Sequence, residues 1–454
     1  MASLPAAALV LAAASLGLPA TLRAQVMTDA LPPIPIDTFS LDNGLRVVVS
    51  EDHSAPVVAV NVWYHVGSAN EEEGRSGFAH LFEHMLFSET ENLEPGAMDR
   101  LVTRAGGVYN ATTSNDRTAY FEVLPSNRVN LALWLHAERM ARLKVTAEAF
   151  ETQREVVKEE RRMRIDNQPY GQAQLVLDTL SQTYAPYRHT VIGSMADLDA
   201  AETSDVATFY ERFYVPSNAV LTVVGDVTAA DVRALAEEYL GDIPGGRRAP
   251  DLPPFTATPR SDGERRAVVD DPFAQLPLLW VAYTIPPASH SDQYALDLLS
   301  SIFSVGESSR LRERLVNTER AALDLVSFVD RRVGPGTFRL GALPNQGVTI
   351  DRVEALVQEE IERLRTDGVS ERELQKAKNA QRAALVAERL TVQSKATALQ
   401  QALMDHGTPY RVNQEMGLYE AVTQDDIRRV AMSYLVPENR TVVVARPAQE
   451  GGDR

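Results

Sequence analysis

The apolar positions of this chain fall into two rhythms, one of strands and one of helices. "FSLDNGLRVVVS" (39–50) reads as two strands around an Asn43-Gly44 turn. "PVVAVNVWYHVGS" (56–68) is a further strand that runs into the glycine-bearing loop "GSANEEEGRSG". From 78 to 87 the apolar residues take helical spacing, and "MDRLVTRAGG" (98–107) predicts a helix stopped by glycines. "VYNATTSNDRTAYFEVLP" (108–125) predicts a hairpin with Ser114-Asn115-Asp116 at its turn. One helix is expected from near Ser126. Another runs from a Thr146 cap through "AEAFETQREVVKEERRMR" to the Pro169 region.

Part of this pattern recurs. "DVATFYERFYVPSNAVLTVVG" (205–225) and "DIRRVAMSYLVPENRTVVVA" (426–445) align at a single constant offset. Asp205 matches Asp426, Val215 matches Val436, Pro216 matches Pro437 and Asn218 matches Asn439. Each copy reads as a helix, a Val-Pro turn and a valine-rich strand, which points to a duplicated domain. Between the copies the stretch 243–266 is rich in Pro, Gly and charge. The expected organisation is one domain over 30–245, a linker over 246–265 and a second domain over 266–450. Strands and helices mix without regular βαβ alternation, so the expected class is α+β.

Composition narrows the function. The chain has 454 residues, too many for one average domain. The formal charge is −17, and the short "RRMR" run (161–164) sits among glutamates. Nucleic acid and anionic membrane surfaces are therefore not expected partners. There is no cysteine, which excludes disulfides and thiol catalysis and leaves any metal to His, Asp or Glu. Residues 2–20 are apolar and uncharged, followed by "TLRAQ", and resemble a secretory signal over 1–24. Lys and Arg are lacking ahead of the apolar run. Export to a bacterial periplasm, or secretion, is expected, with no stable membrane span in the mature chain.

The chemistry concentrates in residues 80–87, "HLFEHMLF", which hold two of the chain's eight histidines. Helical residues four apart stack on one face, so His80 and His84 present two imidazoles together. Zinc takes imidazole nitrogen at about 2.0–2.1 Å, and its catalytic sites usually have three protein ligands plus water. Glu83 can reach that water without being a ligand and serve as the base for its proton. Two histidines on a solvated helix face fit poorly here. Phe78, Leu81, Phe82, Met85, Leu86 and Phe87 would bury most of the helix, and buried imidazoles need partners. For the third ligand, the neighbours of Glu160 at three and four residues are Val156, Val157, Met163 and Arg164. Three of those are apolar, against two of four for Glu159, so Glu160 is expected on the inward face and Glu151, Glu155 and Glu159 on a solvated one.

In order, "GSANEEEGRSGFAHLFEHMLF", "GGVYNATTSNDRTAY" and "QREVVKEERRMRIDNQPYG" resemble the zinc peptidases called inverzincins, which include pitrilysin, insulin-degrading enzyme and the mitochondrial processing peptidase. The resemblance spans nearly the whole mature chain. It implies two homologous domains, each a mainly antiparallel sheet with helices packed on one face. It implies that His80, His84 and Glu160 bind Zn2+ and that Glu83 is the general base, Glu160 closing a "V-V-x-x-E" stretch. It also implies a peptide substrate added as a strand beside the metal, along Asn110, Ala111 and Thr112.

Two departures stand out. Many relatives carry a glutamate seven residues before the distal ligand, where this chain has Gln153. Many also hold a substrate-gripping Arg…Tyr pair in the second half, whose places fall here on Val316 and Leu323. The second half has no HxxEH motif. The offset of the repeat carries His80 onto Ser301, and the histidines of this half are only His290 and His406, so it should not bind a second zinc. His53, His65, His136 and His189 read as packing or surface residues. Since a complete enzyme of this type uses four such domains, a homodimer or a heterodimer with an inactive homologous chain carrying the Arg…Tyr pair is expected. The expected activity is that of a zinc-dependent endopeptidase or oligopeptidase. The alternative is a non-catalytic scaffold or partner subunit of the same fold.

Overall fold

The computed structural model describes residues 31–255 and 262–448. The expected signal segment, 1–24, lies outside the described residues. The first half contributes β1 (Asp37–Ser40), β2 (Arg46–Glu51), β3 (Val57–Tyr64), β4 (Val108–Thr113), β5 (Thr118–Pro125) and β6 (Ala219–Gly225). They form one sheet in the order β1-β2-β6-β3-β5-β4, antiparallel except for β2 beside β6. The second half contributes β7 (Arg265–Asp271), β8 (Leu278–Ile285), β9 (Ala322–Asp330), β10 (Gly336–Pro344) and β11 (Arg440–Pro447). Their order is β7-β11-β8-β10-β9, antiparallel except for β7 beside β11.

The two orders are the same once β2, β6, β3, β5 and β4 are matched to β7, β11, β8, β10 and β9. The repeated Val-Pro-x-Asn turn explains itself in this frame. Asn218 Nδ2 donates to the Phe213 carbonyl at 2.9 Å, and Asn439 Nδ2 donates to the Tyr434 carbonyl at 2.8 Å. In each half the amide closes the last turn of a helix, which would otherwise leave buried carbonyls without partners, and sets the entry of a central strand.

The helices of the first half are α1 (Phe78–Met85), α2 (Ala97–Arg104), α3 (Val129–Ala141), α4 (Ala147–Arg161), α5 (Gly171–Ser181), α6 (Met195–Asp199), α7 (Thr203–Phe213) and α8 (Ala229–Leu240). Those of the second are α9 (Asp292–Ser304), α10 (Ile350–Asp367), α11 (Glu371–Ala387), α12 (Val392–His406), α13 (Glu415–Ala421) and α14 (Gln424–Tyr434). One face of the first sheet, with Val47, Val49, Val58, Val60, Val62, Leu221 and Val223, packs against its own helices, including α1 and α3. The other face is not left to solvent. Val48, Ala59, Val220 and Val224 bury against Val392, Ala396, Leu399 and Leu403 of α12, which comes from the second half.

The exchange is reciprocal. Ala173 and Leu177 of α5 cover Ala282, Val443 and Ala445 of the second sheet. Each exchanged helix is pinned by an ion pair across the halves, Lys395 to Asp52 for α12 and Asp178 to Arg339 for α5, the latter at 2.7 Å. This is why "VVAVNVWY" reads as a continuous apolar run rather than an alternating one: the central strands are buried on both faces.

Candidate metal centre

Helix α1 is short, so its position depends on how its ends are held. Gly77 precedes it at φ 95, and a Cβ there would meet the Ile192 carbonyl oxygen at 2.8 Å. The first backbone N–H groups are satisfied from outside the helix. The buried Glu71 carboxylate accepts from Gly77 N at 3.0 Å and from Ala79 N at 2.8 Å. Phe82 then stacks on Tyr210, with ring centroids 5.5 Å apart, and packs against Tyr214. These contacts fix the rotation of α1 and turn His80, Glu83 and His84 toward a cleft.

Helix α4 starts at the expected Thr146, whose hydroxyl accepts from Ala149 N at 3.2 Å. Its inward stripe is Phe150, Gln153, Val157 and Glu160, spaced three, four and three residues apart, with Phe150 and Val157 fully buried. Glu160 is inward, as expected, though only part of the expected reason holds. Of the three apolar neighbours used to place it, Val157 is fully buried in the core, whereas Val156 and Met163 are 45% and 55% exposed. Immediately after Glu160 the helix widens into a π-type turn, Arg162–Asp166. Such turns interrupt a helix at a cost and are common at functional sites. Arg161 bonds the Gly193 carbonyl and Asp166, holding this turn against the loop beside the cleft.

The two helices bring three donors together. Glu160 Oε2 lies 3.6 Å from His80 Nε2 and 3.3 Å from His84 Nε2. Among the described residues this is the one group of three or more His, Cys, Asp or Glu side chains whose ligand atoms lie within 4.8 Å of one another. Ligands about 2.0–2.1 Å from a tetrahedral zinc stand about 3.4 Å apart, so the spacing fits the ion. The imidazoles are also in the right state. Burial, then the neighbouring His84, pulls His80 down to about 4, and burial lowers His84 as well. Neutral rings keep a nitrogen lone pair for a metal. Gln153 hydrogen-bonds the side chain of His84, in the position where many inverzincins carry an acid.

Glu83 stands beside this group without joining it. Burial pushes its carboxyl up to about 7 against the opposing hydrogen bond from Thr113 Oγ1, at 2.5 Å. Asn110, Ala111 and Thr112 lie on β4, an edge strand that pairs with β5 on one side only. They line the same cleft as His80, Glu83 and Glu160, a cavity of about 730 Å³. Arg164 reaches its rim and pairs with the second oxygen of Glu160 at 2.6 Å. Sequence reasoning missed Thr113 and Arg164. Thr113 is the last residue of the "NATT" edge, a signal that could have found it, and Arg164 stands four residues after Glu160, the spacing of a helical ion pair.

A family profile described as "Insulinase (Peptidase family M16)" matches residues 46–192, and one described as "Peptidase M16 inactive domain" matches 201–381. The chain is 32% identical over 412 residues to the zinc protease PqqE of Helicobacter pylori, covering 90% of this chain and 93% of that protein. The chain belongs to peptidase family M16. Its other relatives include an uncharacterised zinc protease of Mycobacterium tuberculosis, 28% identical over 399 residues with 87% and 90% coverage. The β subunit of the mitochondrial-processing peptidase of Lentinula edodes is 25% identical over 429 residues, with 91% and 90% coverage. In structure the chain is similar to a protease from Helicobacter pylori, with a TM-score of 0.87 at 31% identity, over 92% of this chain and all of that one.

The M16 fold's second half has an equivalent hollow without the donors. At the offset that matches Asp205 to Asp426, the counterparts of His80, Glu83, His84 and Glu160 are Ser301, Ser304, Val305 and Gln381. Ser301 and Gln381 both line a cavity of about 550 Å³ between α9, α11 and α12. The places of the Arg…Tyr pair hold Val316, in an irregular helical turn, and Leu323, exposed on β9. The nearby arginines are committed elsewhere: Arg310 to Glu373, Arg312 to Asp324 and Arg314 to Glu319. Of the remaining histidines, His136 is buried against Glu122 at 2.7 Å, and His53 and His65 bond Asp226 and Arg46.

Proposed function

We propose that this chain is a zinc-dependent endopeptidase or oligopeptidase acting on peptides or unfolded polypeptides. One observation carries the reading: two imidazoles and a carboxylate from separate helices converge at zinc-ligand spacing, beside a second carboxylate and an unpaired strand edge. His80, His84 and Glu160 would hold the ion, which supplies Lewis-acid activation of a water and of the scissile carbonyl when bound. Glu83 takes the proton of the attacking water and passes it to the leaving amine. The edge of β4 at Asn110, Ala111 and Thr112 aligns the peptide backbone by strand addition, which favours an extended substrate over a folded one. Gln153 orients His84 without adding charge.

We further propose two domains, 30–245 and 266–450, joined by the 246–265 linker, and a mature chain exported to the periplasm. Among the described residues no helix is long and apolar enough to cross a membrane. Among the described residues of the second half, neither a donor set nor the Arg…Tyr pair stands at the matching places. That favours assembly with a second homologous chain that supplies the pair, over a homodimer.

The test is turnover of a fluorogenic peptide by the chain, alone and with its co-purifying partner, before and after chelation. Chelator-sensitive cleavage that returns on adding zinc is the expected result. Cleavage insensitive to zinc removal would overturn the reading, and no cleavage in any native assembly would favour the scaffold alternative.

A further inference from the structure

The hairpin that carries the candidate substrate edge is held at its tip by the other half of the molecule. At the β4–β5 turn, Asp116 Oδ2 accepts from Val333 N at 3.0 Å, and Val333 lies in the β9–β10 turn of the second sheet. Tyr187, in the loop after α5, donates to Asp116 Oδ1 and accepts from Gly334 N at 2.8 Å. Tyr187 is 1% exposed, and the Arg332 guanidinium lies over its ring, 4.9 Å from the centroid. The opposite side of the tip is gripped by the loop that leads into α1. Ser68 N and Ala69 N donate to the Ser114 and Asn115 carbonyls at 3.1 and 2.9 Å, and Asn115 Nδ2 donates to Ser68 Oγ.

Three residues before Asp116, at the end of β4, Thr113 Oγ1 donates to Glu83 Oε2. A short run of backbone therefore links the second sheet to the carboxylate that faces the cleft. A carboxylate must sit within a few tenths of an ångström of its productive position, and a shift of about 1 Å can cost about 10²-fold in rate. A hairpin tip docked on two sides is the means of holding such a position, because an isolated two-stranded ribbon is mobile in water.

We propose that Thr113 and Asp116 are positioning residues of one hairpin: Thr113 aims Glu83, and Asp116, with Tyr187, fixes the hairpin on the second half. The second half thereby sets the geometry of a cleft that it does not line. This rests on the peptidase reading above, with Glu83 as the base.

The experiment uses the zinc-loaded full chain in its active assembly and compares four variants with Glu83→Gln. Thr113→Val removes the hydroxyl but keeps the shape, and Thr113→Ser restores the donor. Tyr187→Phe removes only the hydroxyl shared by Asp116 and Gly334. Gly334→Ala acts from the second half, where an added Cβ meets the Tyr187 ring and hydroxyl at 3.0 Å. Thr113→Val is expected to lower kcat about tenfold or more with little change in KM, and Thr113→Ser to recover most of it. Tyr187→Phe and Gly334→Ala are expected to lower kcat and raise KM together, since both the base and the substrate edge move. Zinc content should stay at the wild-type value in all four.

Amide hydrogen exchange over residues 108–117 should quicken in Tyr187→Phe while exchange in α1 does not. Should Glu83→Gln be inactive while Tyr187→Phe and Gly334→Ala keep wild-type kcat/KM and hairpin protection, the hairpin proposal is overturned and the peptidase reading stands. Should Glu83→Gln retain turnover, the peptidase reading falls, and unchanged exchange at 108–117 would overturn the docking separately.

Discussion

The cleft of the first half and the hollow of the second are the same piece of architecture with different chemistry. Both lie between an edge-strand hairpin and a helix pair, and the two sheets share one strand order. In the first, α1 and α4 present two imidazoles and two carboxylates. In the second, Ser301, Ser304, Val305 and Gln381 stand at the corresponding positions of the repeat. Even the tie to the edge strand has a counterpart, since Ser304 bonds Ser327 of β9 as Glu83 is bonded by Thr113 of β4. The lesson is that the scaffold demands only apolar faces and helix ends with partners, while the proposed chemistry would hang on four side chains that the scaffold does not require. The second half lacks them and has the same strand order.

That contrast can be broken in order of effect. Glu83→Gln should lower peptide turnover by roughly 10²–10⁴ while leaving bound zinc unchanged by metal analysis; equal loss of zinc would mean Glu83 is a ligand instead. Glu160→Ala should weaken zinc by at least about 10²-fold, because loss of an outer-shell partner alone typically costs about 10–100-fold. Gln381→Ala in the second half should leave zinc binding untouched, and any change there would erase the distinction between the two hollows.

The exchanged helices extend the comparison to stability. Leu399 on α12 and Leu177 on α5 are fully buried, each against the other half's sheet. Each truncated to Ala should cost about 2–5 kcal/mol in urea unfolding. If the halves unfold as separate steps, one variant will shift both transitions, because each helix belongs to one half and covers the other.

The smallest effect is that of a pH-dependent pair. The hydrogen bond from Lys395 holds the Asp52 carboxyl down at about 2. An unfolded aspartate titrates near 3.9, about two units higher. The sign follows from a depressed folded value: the stabilisation is complete above about pH 4 and is lost as pH falls through about 2. Asp52→Asn should therefore be less stable than the parent at pH 7, with the gap in urea midpoint closing toward pH 2. A gap that does not change with pH would show that the pair contributes by packing rather than by charge.

Much of this was legible in the sequence because it is local. The Asn43-Gly44 turn, the Thr146 cap, the 114–116 hairpin turn and the stacking of His80 on His84 each depend on residues within a few positions. The repeat was legible because Pro and Asn recur at one offset. Long-range facts were not. An amphipathic helix states that it has an apolar face but not whose sheet that face meets, so the exchange of α5 and α12 could not be read. Glu160 shows the limit clearly. Of the apolar neighbours that point it inward, Val156 and Met163 are exposed and only Val157 belongs to the inward stripe, which runs on through Gln153 to Phe150. The Thr113–Glu83 and Asp116–Val333 bonds span 30 and 217 residues and leave no trace in spacing.

The most direct test of the account is diffraction from the zinc-loaded, peptide-cleaving chain, recorded on both sides of the zinc absorption edge. The expected result is one anomalous peak per chain, about 2.0–2.2 Å from Nε2 of His80, Nε2 of His84 and an oxygen of Glu160, with none between α9 and α11. An active chain whose zinc lies elsewhere, or whose Glu160 carboxylate stands apart from the ion, would contradict it.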